Sequence, residues 1–224
     1  MSVSIGLNDP RNPWFSWSYV ESNASVLLDA LAEHVRLTVI SVLIAAVIAI
    51  PLGILAARSR SASTAILSVS GVLYTLPSLA VFALLVPFMG LSEAPVVIGL
   101  VMYALLILVR ATLTGLRQVP IEVIDAAGGM GYDRRQLLSR VRLPLALPSV
   151  MTGLRIATVS TVALVTVGAV VGHGGLGGLI LTGFRNNLYK PQIVTATIMC
   201  VLLALVFEVL LALATRAMTP WTRR

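Results

Sequence analysis

Charge is scarce in this chain. Only 11% of its 224 residues are charged, sixteen of them Lys or Arg and nine Asp or Glu, where a soluble domain carries about a quarter. Hydrophobic residues make up 58%, which excludes an ordinary soluble domain and leaves an integral membrane protein. The one cysteine, Cys200, lies in an apolar run, so it forms no intrachain disulfide and is silent about redox compartment. Residues 1–33 lack the basic start, apolar stretch and cleavage site of a signal peptide, so the N-terminus is expected to be retained. No Ser-His-acid set, metal-ligand spacing or carboxylate pair stands out, and neither catalysis nor a metal site is expected. The glycine run at residues 172–178 has no strand before it and no Gly-Lys-Ser/Thr after it, so the chain is expected to hold no nucleotide and no cofactor. Its expected role is a closely packed turn. The net charge of +7 lies on no aromatic-interleaved surface; it sets orientation in a bilayer and does not point to nucleic acid.

What is present is a series of long apolar runs, giving an all-α membrane protein with five spans. They are expected at about residues 35–57, 64–90, 95–116, 145–171 and 192–215. Residues 1–34 form an N-terminal segment whose Trp14, Phe15, Trp17 and Tyr19 suit the membrane boundary, with an interfacial helix over 22–33. His34 reads as a boundary residue. Pro77 and Pro87 interrupt the second span, with an unwound stretch near Thr75-Leu76-Pro77-Ser78. Splitting that span would give six. A polar loop runs from the glycine run to Lys190, and residues 217–224 are a basic tail. Eleven Lys and Arg lie in the first connection, in the 116–144 stretch with its flank at Arg110, and at the C-terminus, and only Arg11, Arg36, Arg185 and Lys190 lie at the other ends. The C-terminus is therefore expected in the cytoplasm and the N-terminus outside.

Residues 116–144 form the polar exception. Arg117, Glu122, Asp125, Asp133, Arg134, Arg135, Arg140 and Arg142 cluster there, with Arg110 just upstream. Pro120 suits a first helical turn, Gly131 a left-handed helix end, and Asp133 with Gln136 a capping box. Two short helices with a sharp joint are predicted, the second stopped by Pro144.

The spacing Asp125-Ala126-Ala127, three residues, Gly131, nine residues, Val141, one residue, Leu143-Pro144 resembles the EAA loop of permease subunits of binding-protein-dependent ATP-binding cassette importers. Asp125 stands for glutamate and Val141 for isoleucine. The resemblance implies a fold like that of methionine-importer permeases, with residues 117–144 as the coupling loop. It assigns Asp125, Ala126, Ala127, Gly128, Gly131, Arg134, Arg135, Leu143 and Pro144 to contact with a cytoplasmic ATPase. It also implies the partners: two ATP-binding subunits that use ATP and Mg, a second permease subunit, identical or homologous, an external substrate-binding protein, and membrane lipid. Asn12-Pro13-Trp14-Phe15-Ser16-Trp17, Leu76-Pro77-Ser78-Leu79-Ala80, Leu143-Pro144-Leu145-Ala146-Leu147-Pro148 and the Gly-Gly-Leu-Gly stretch resemble the quaternary ammonium branch. Glycine betaine, choline, carnitine and proline betaine are the implied substrates, in a prokaryotic inner membrane.

Tyr74, Pro77, Ser78, Phe82, Tyr103, Thr158 and Thr161 are candidates for the translocation path; packing and interhelical hydrogen bonding are the competing roles. Arg155 and Glu208 lie deepest in the predicted spans, and such groups face protein or water, so they are expected to pair or share a cavity. Two other readings stand beside the osmoprotectant importer. One is an importer of methionine, ergothioneine or another amino-acid derivative. The other is an ion-driven carrier or channel, which predicts inverted repeats that the chain does not display.

Overall fold

The computed structural model describes residues 12–222, and among them it contains helices and no strand. Arg11 and the tail arginines Arg223 and Arg224, counted above for orientation, lie outside the described residues. The main helices are α1 (Trp17–Ser22), α2 (Ala24–Ala56), α3 (Arg60–Thr75), α4 (Ser78–Met89), α5 (Ala94–Arg117), α6 (Ile121–Gly129), α7 (Arg134–Gln136), α8 (Leu143–Val165), α9 (Leu176–Arg185) and α10 (Lys190–Met218). A π-helical turn (Leu137–Arg142) joins α7 to α8, and a 3-10 turn (Thr166–Val171) follows α8.

Among the described residues, four helical runs are long and apolar enough to cross a bilayer: α2, α5, Arg134–Val171 and α10. The pair α3 and α4 makes a fifth if taken as one broken span. With 16 and 12 residues, neither reaches the ~20 needed to cross alone, which argues against six spans. Proline explains the break: Pro77 has no N–H to continue a helix and disfavours the helical conformation at Leu76, so it stands as the N-cap of α4. Pro87, expected to interrupt the span as well, sits inside α4 without ending it.

Three further expectations are corrected. The interfacial helix over 22–33 does not exist as a separate element, because α2 runs unbroken for 33 residues from Ala24. Pro144 does not stop the second elbow helix; helix continues through it into α8. The π-helical turn explains how: Leu143 N–H reaches Leu138 O, five residues back, and the widened turn relieves the clash of a proline ring with the carbonyl four residues before it. The polar loop after the glycine run contains α9, whose start is buried at Leu176 and Gly177.

Two compact units are built from interleaved segments. The first takes the chain up to Ser41, Leu76–Leu100 and Val159–Val206. Its core is Leu37, Phe82, Val96, Leu100, Val165 and Val171. His34 is fully buried here, and its Nε2 donates to Val162 O at 3.0 Å, so it is a packed core histidine and no boundary residue. The glycine run is packed too: Gly175 has φ +50, and a Cβ on it would meet Ala30 O and the Cβ of His34 at 2.7 Å. Asn12 ties the N-terminal segment down, donating to Leu188 O at 3.0 Å and accepting from Lys190 N–H at 2.9 Å. Beside it, Tyr19 packs edge-on against Tyr189, and burial with that neighbour pushes its hydroxyl above the usual pKa. Trp14, Phe15 and Trp17 stay exposed.

The second unit takes Val42–Thr75, Val101–Thr158 and Phe207 onward. Small residues let α5 and α8 approach closely: a Cβ on Gly153 would lie 2.2 Å from that of Ala111, and one on Gly115 2.8 Å from Ala146 O. Where hydrocarbon surrounds a protein, such contact replaces the hydrophobic force that holds soluble helices together.

The candidate coupling elbow and the paths around it

The elbow lies within the second unit, and each of its joints has a local cause. Pro120 is the N-cap of α6 rather than its first residue, and Glu122 places a negative charge in the first turn, where the helix dipole favours it. The other end is a Schellman motif: Gly131 N–H donates to Gly128 O at 2.9 Å and Tyr132 N–H to Ala127 O at 3.2 Å. Gly131 supplies the φ of +83 that this closure requires. Asp133 then opens the next helix with a full capping box, accepting from Gln136 N–H at 2.8 Å while Gln136 Oε1 accepts from Asp133 N–H at 3.1 Å. Arg142 returns a hydrogen bond of 3.2 Å to Leu116 O at the end of α5, tying both arms together.

The outward face of α6 is open. Asp125, Ala126, Gly128 and Gly131 are exposed, as are Arg134 and Arg135. Ile121, Val123 and Met130 are exposed as well, an unusual apolar content for a short helix beside so many charges. A groove lined by Glu122, Val123, Ala126, Met130, Tyr132 and Arg140 runs along it. A Cβ on Gly128 would meet nothing within 4 Å, so nothing inside the chain demands a glycine there. Ala127 differs: it is 2% exposed and packs inward. Leu143 and Pro144 are half-buried in the helix that follows.

Residues 49–224 match the family described as the binding-protein-dependent transport system inner membrane component. The chain belongs to this family. It is similar to permease relatives along nearly its whole length. It is 32% identical over 203 residues to the choline transport system permease protein OpuBB of Bacillus subtilis, a match covering 90% of this chain and 93% of the relative. It is 34% identical over 204 residues to the carnitine transport permease protein OpuCB of Listeria monocytogenes, covering 91% and 93%. It is 34% identical over 207 residues to the osmoprotectant import permease protein OsmW of Salmonella typhimurium, covering 90% and 96%. Among solved structures, the inward-facing MetNI methionine ABC transporter superposes with a TM-score of 0.79 at 21% identity, over 89% of this chain and 99% of that one. That likeness shows a methionine-permease-like fold.

In this inner membrane component the path candidates are shared between the two units. Phe82 is fully buried in the core of the first unit. Thr161, in the same unit, is 1% exposed. Pro77 is exposed and Ser78 half-buried at the start of α4. In the second unit Tyr74, exposed, meets the buried Tyr103 edge-on at 5.9 Å between ring centres. Thr158 is buried and donates to Leu154 O at 2.8 Å, the ordinary resting place of a helix threonine. Arg155 and Glu208 are joined as an ion pair between α8 and α10.

Sequence reading missed two features. Arg36 pairs with Glu93, and His173 Nδ1 lies 3.5 Å from Glu33, so the glycine run is tied to α2 by its one ionisable side chain. Neither pair has a sequence signature, since 57 and 140 residues separate the partners. The second feature is a groove on α5 and α8 around Arg110, which had served only in a charge count.

Proposed function

We propose that this chain is the permease subunit of an ATP-driven importer of quaternary ammonium osmoprotectants, with glycine betaine, choline, carnitine and proline betaine as its substrates. One observation carries the reading: choline, carnitine and osmoprotectant permeases are 32–34% identical to it over nine-tenths of its length. The methionine alternative has the likeness of fold for support, at 21% identity. An ion-driven carrier has no such support, because the family is a binding-protein-dependent one.

In this reading the elbow faces the cytoplasm, the C-terminus is cytoplasmic and the N-terminus outside. Two permease subunits, identical or homologous, sit over two ATP-binding subunits, and an external binding protein delivers substrate. ATP and Mg belong to the ATPases. The apolar side chains of Ile121, Val123 and Met130 enter the ATPase surface, Gly128 allows close approach of backbone, and Asp125 with Arg134 and Arg135 sets the register by charge. Ala127 and Gly131 hold the shape of the contact from within. Closure of the ATPases around ATP moves the elbow, and the elbow turns the spans between inward-open and outward-open arrangements.

The test is uptake of labelled glycine betaine by cells carrying the chain with its partner subunits, beside an Asp125→Arg strain and one lacking the ATPase. Uptake lost in both controls and competed by choline or carnitine is the expected result. Uptake that persists without the ATPase refutes the coupling. An assembled complex that moves no quaternary ammonium compound refutes the substrate class.

A further inference from the structure

Among the described residues, Arg110 is a charge within a predicted span that has no ionic partner. It lies seven residues before the end of α5, roughly 10 Å along the helix, in a segment whose neighbours are Leu106, Ile107, Leu108 and Val109. Among the described residues its side chain has no acidic partner and no hydrogen bond, and it is exposed. Arg155 on α8 is the contrast, since Glu208 neutralises it. An unpaired arginine inside a span faces water or protein, not hydrocarbon.

It opens into a groove of about 500 Å³ lined by α5 and α8, within the range of small-ligand sites. On α5 the lining residues Ile107, Arg110, Ala111 and Thr114 recur at helical spacing, so they form one face. Across from them stand Pro148, Ser149, Thr152, Gly153 and Ile156 of α8. The close contact of Gly153 with Ala111 keeps the floor free of bulk.

The donors in this groove can be assigned. Ser149 already donates to Gln118 Oε1 at 3.2 Å, and Thr152 to Pro148 O at 2.9 Å. The Thr114 hydroxyl, one turn beyond Arg110, has no hydrogen bond among the described residues; only the Thr114 carbonyl is engaged, accepting from Gln118 N–H at 3.0 Å. Two donor groups on one face of α5 are thus left without acceptors, the Arg110 guanidinium and the Thr114 hydroxyl. No carboxylate lines the groove to compete for them. Ile107, Pro148 and Ile156 give the remaining wall an apolar surface, and no aromatic ring is present to hold a cation.

We propose that this groove is a substrate site on the translocation path that binds the carboxylate of a zwitterionic quaternary ammonium compound through Arg110 and Thr114. The proposal rests on the importer reading above and refines it. The guanidinium fork takes the two carboxylate oxygens, with the Thr114 hydroxyl as a further donor, and the N-methyl groups lie along Ile107, Pro148 and Ile156. Choline carries the same cationic head without a carboxylate, so Arg110 repels it and gains nothing in return. The site therefore favours glycine betaine and carnitine over choline at a step after the binding protein has released its substrate.

The experiment is competitive uptake of glycine betaine, carnitine and choline by the whole complex in proteoliposomes, with its ATPases and binding protein. Wild type is compared with Arg110→Gln, Arg110→Lys and Thr114→Val. For Arg110→Gln the ratio of betaine to choline uptake is expected to fall by about tenfold or more, the weight of a charged hydrogen bond. Arg110→Lys keeps the charge but loses the fork and falls between, and Thr114→Val shifts the ratio in the same direction by less. If Arg110→Gln does not assemble, the Arg110→Lys ratio decides. A ratio that stays at the wild-type value, whether all three compounds slow together or none does, overturns the proposal, because an arginine that merely reaches lipid phosphates has no preference among substrates. A wild-type complex that moves choline but neither carboxylated compound overturns it alone. A complex that moves none of the three overturns the importer reading with it.

Discussion

Gly128 and Gly131 stand three residues apart at the tip of the elbow, and the structure assigns opposite signs to the same substitution at the two. Gly128 is helical, and a Cβ there meets nothing within 4 Å. Replacing it by alanine removes backbone freedom from the unfolded chain without any clash, a gain of about 0.5–1 kcal/mol. Gly131 has equally open surroundings, but its φ is +83. Alanine there must hold a left-handed conformation at a cost of about 1–2 kcal/mol. Since neither Cβ touches anything, the contrast isolates the backbone term. The two variants separate by about 2 kcal/mol, which is roughly 4–8 °C in Tm for a chain of this size. Thermal melting of the purified permease without its ATPase measures it, and shifts of the same sign would refute the reasoning. A companion variant separates folding from coupling. Gly128→Leu adds a side chain into empty space, so the chain folds, but the added bulk stands where the ATPase is proposed to approach. ATPase stimulation by loaded binding protein is expected to drop by about tenfold or more, the scale of one misfitted core contact in an interface. Full stimulation in Gly128→Leu would show that this face of α6 touches no partner.

Two further predictions follow from α7 and α8. Asp133→Ala removes one half of the capping box and should cost about 1 kcal/mol, seen as a fall of roughly 2–4 °C in Tm; an unchanged Tm would mean that the cap contributes nothing to the elbow. Arg155→Glu and Glu208→Arg should each reduce the amount of assembled complex in the membrane, because each places two like charges together within a span, while the double exchange restores it. Recovery no better than the worse single variant would show that the pair does not act as a unit.

The sequence by itself determined the membrane class, the position of most apolar helices and nearly all of the elbow's grammar. These are local properties. A shortage of charge needs no partner to be read, and the proline before α6, the glycine at its end and the Asp133-Gln136 box each act within four residues of chain. The EAA-type spacing was legible for the same reason, because it lies in one uninterrupted stretch. What the sequence did not determine was everything that depends on a second helix. Pro144 reads as a stop, yet the helix passes through it because a π-helical turn relieves the clash of its ring, a backbone form with no signature in the residues themselves. His34 reads as a boundary residue until Val162, 128 positions away, offers its carbonyl. The glycine run reads as a turn, and only its contact with α2 at Ala30 and His34 shows why bulk is excluded there. Ala126 and Ala127 are identical on paper, and packing within the second unit buries one and leaves the other exposed. Arg110 and Arg155 likewise carry the same charge in similar apolar runs. Tertiary structure supplies Glu208 to one and an open groove to the other, and in a medium of low dielectric that decides which of the two has binding energy left to offer.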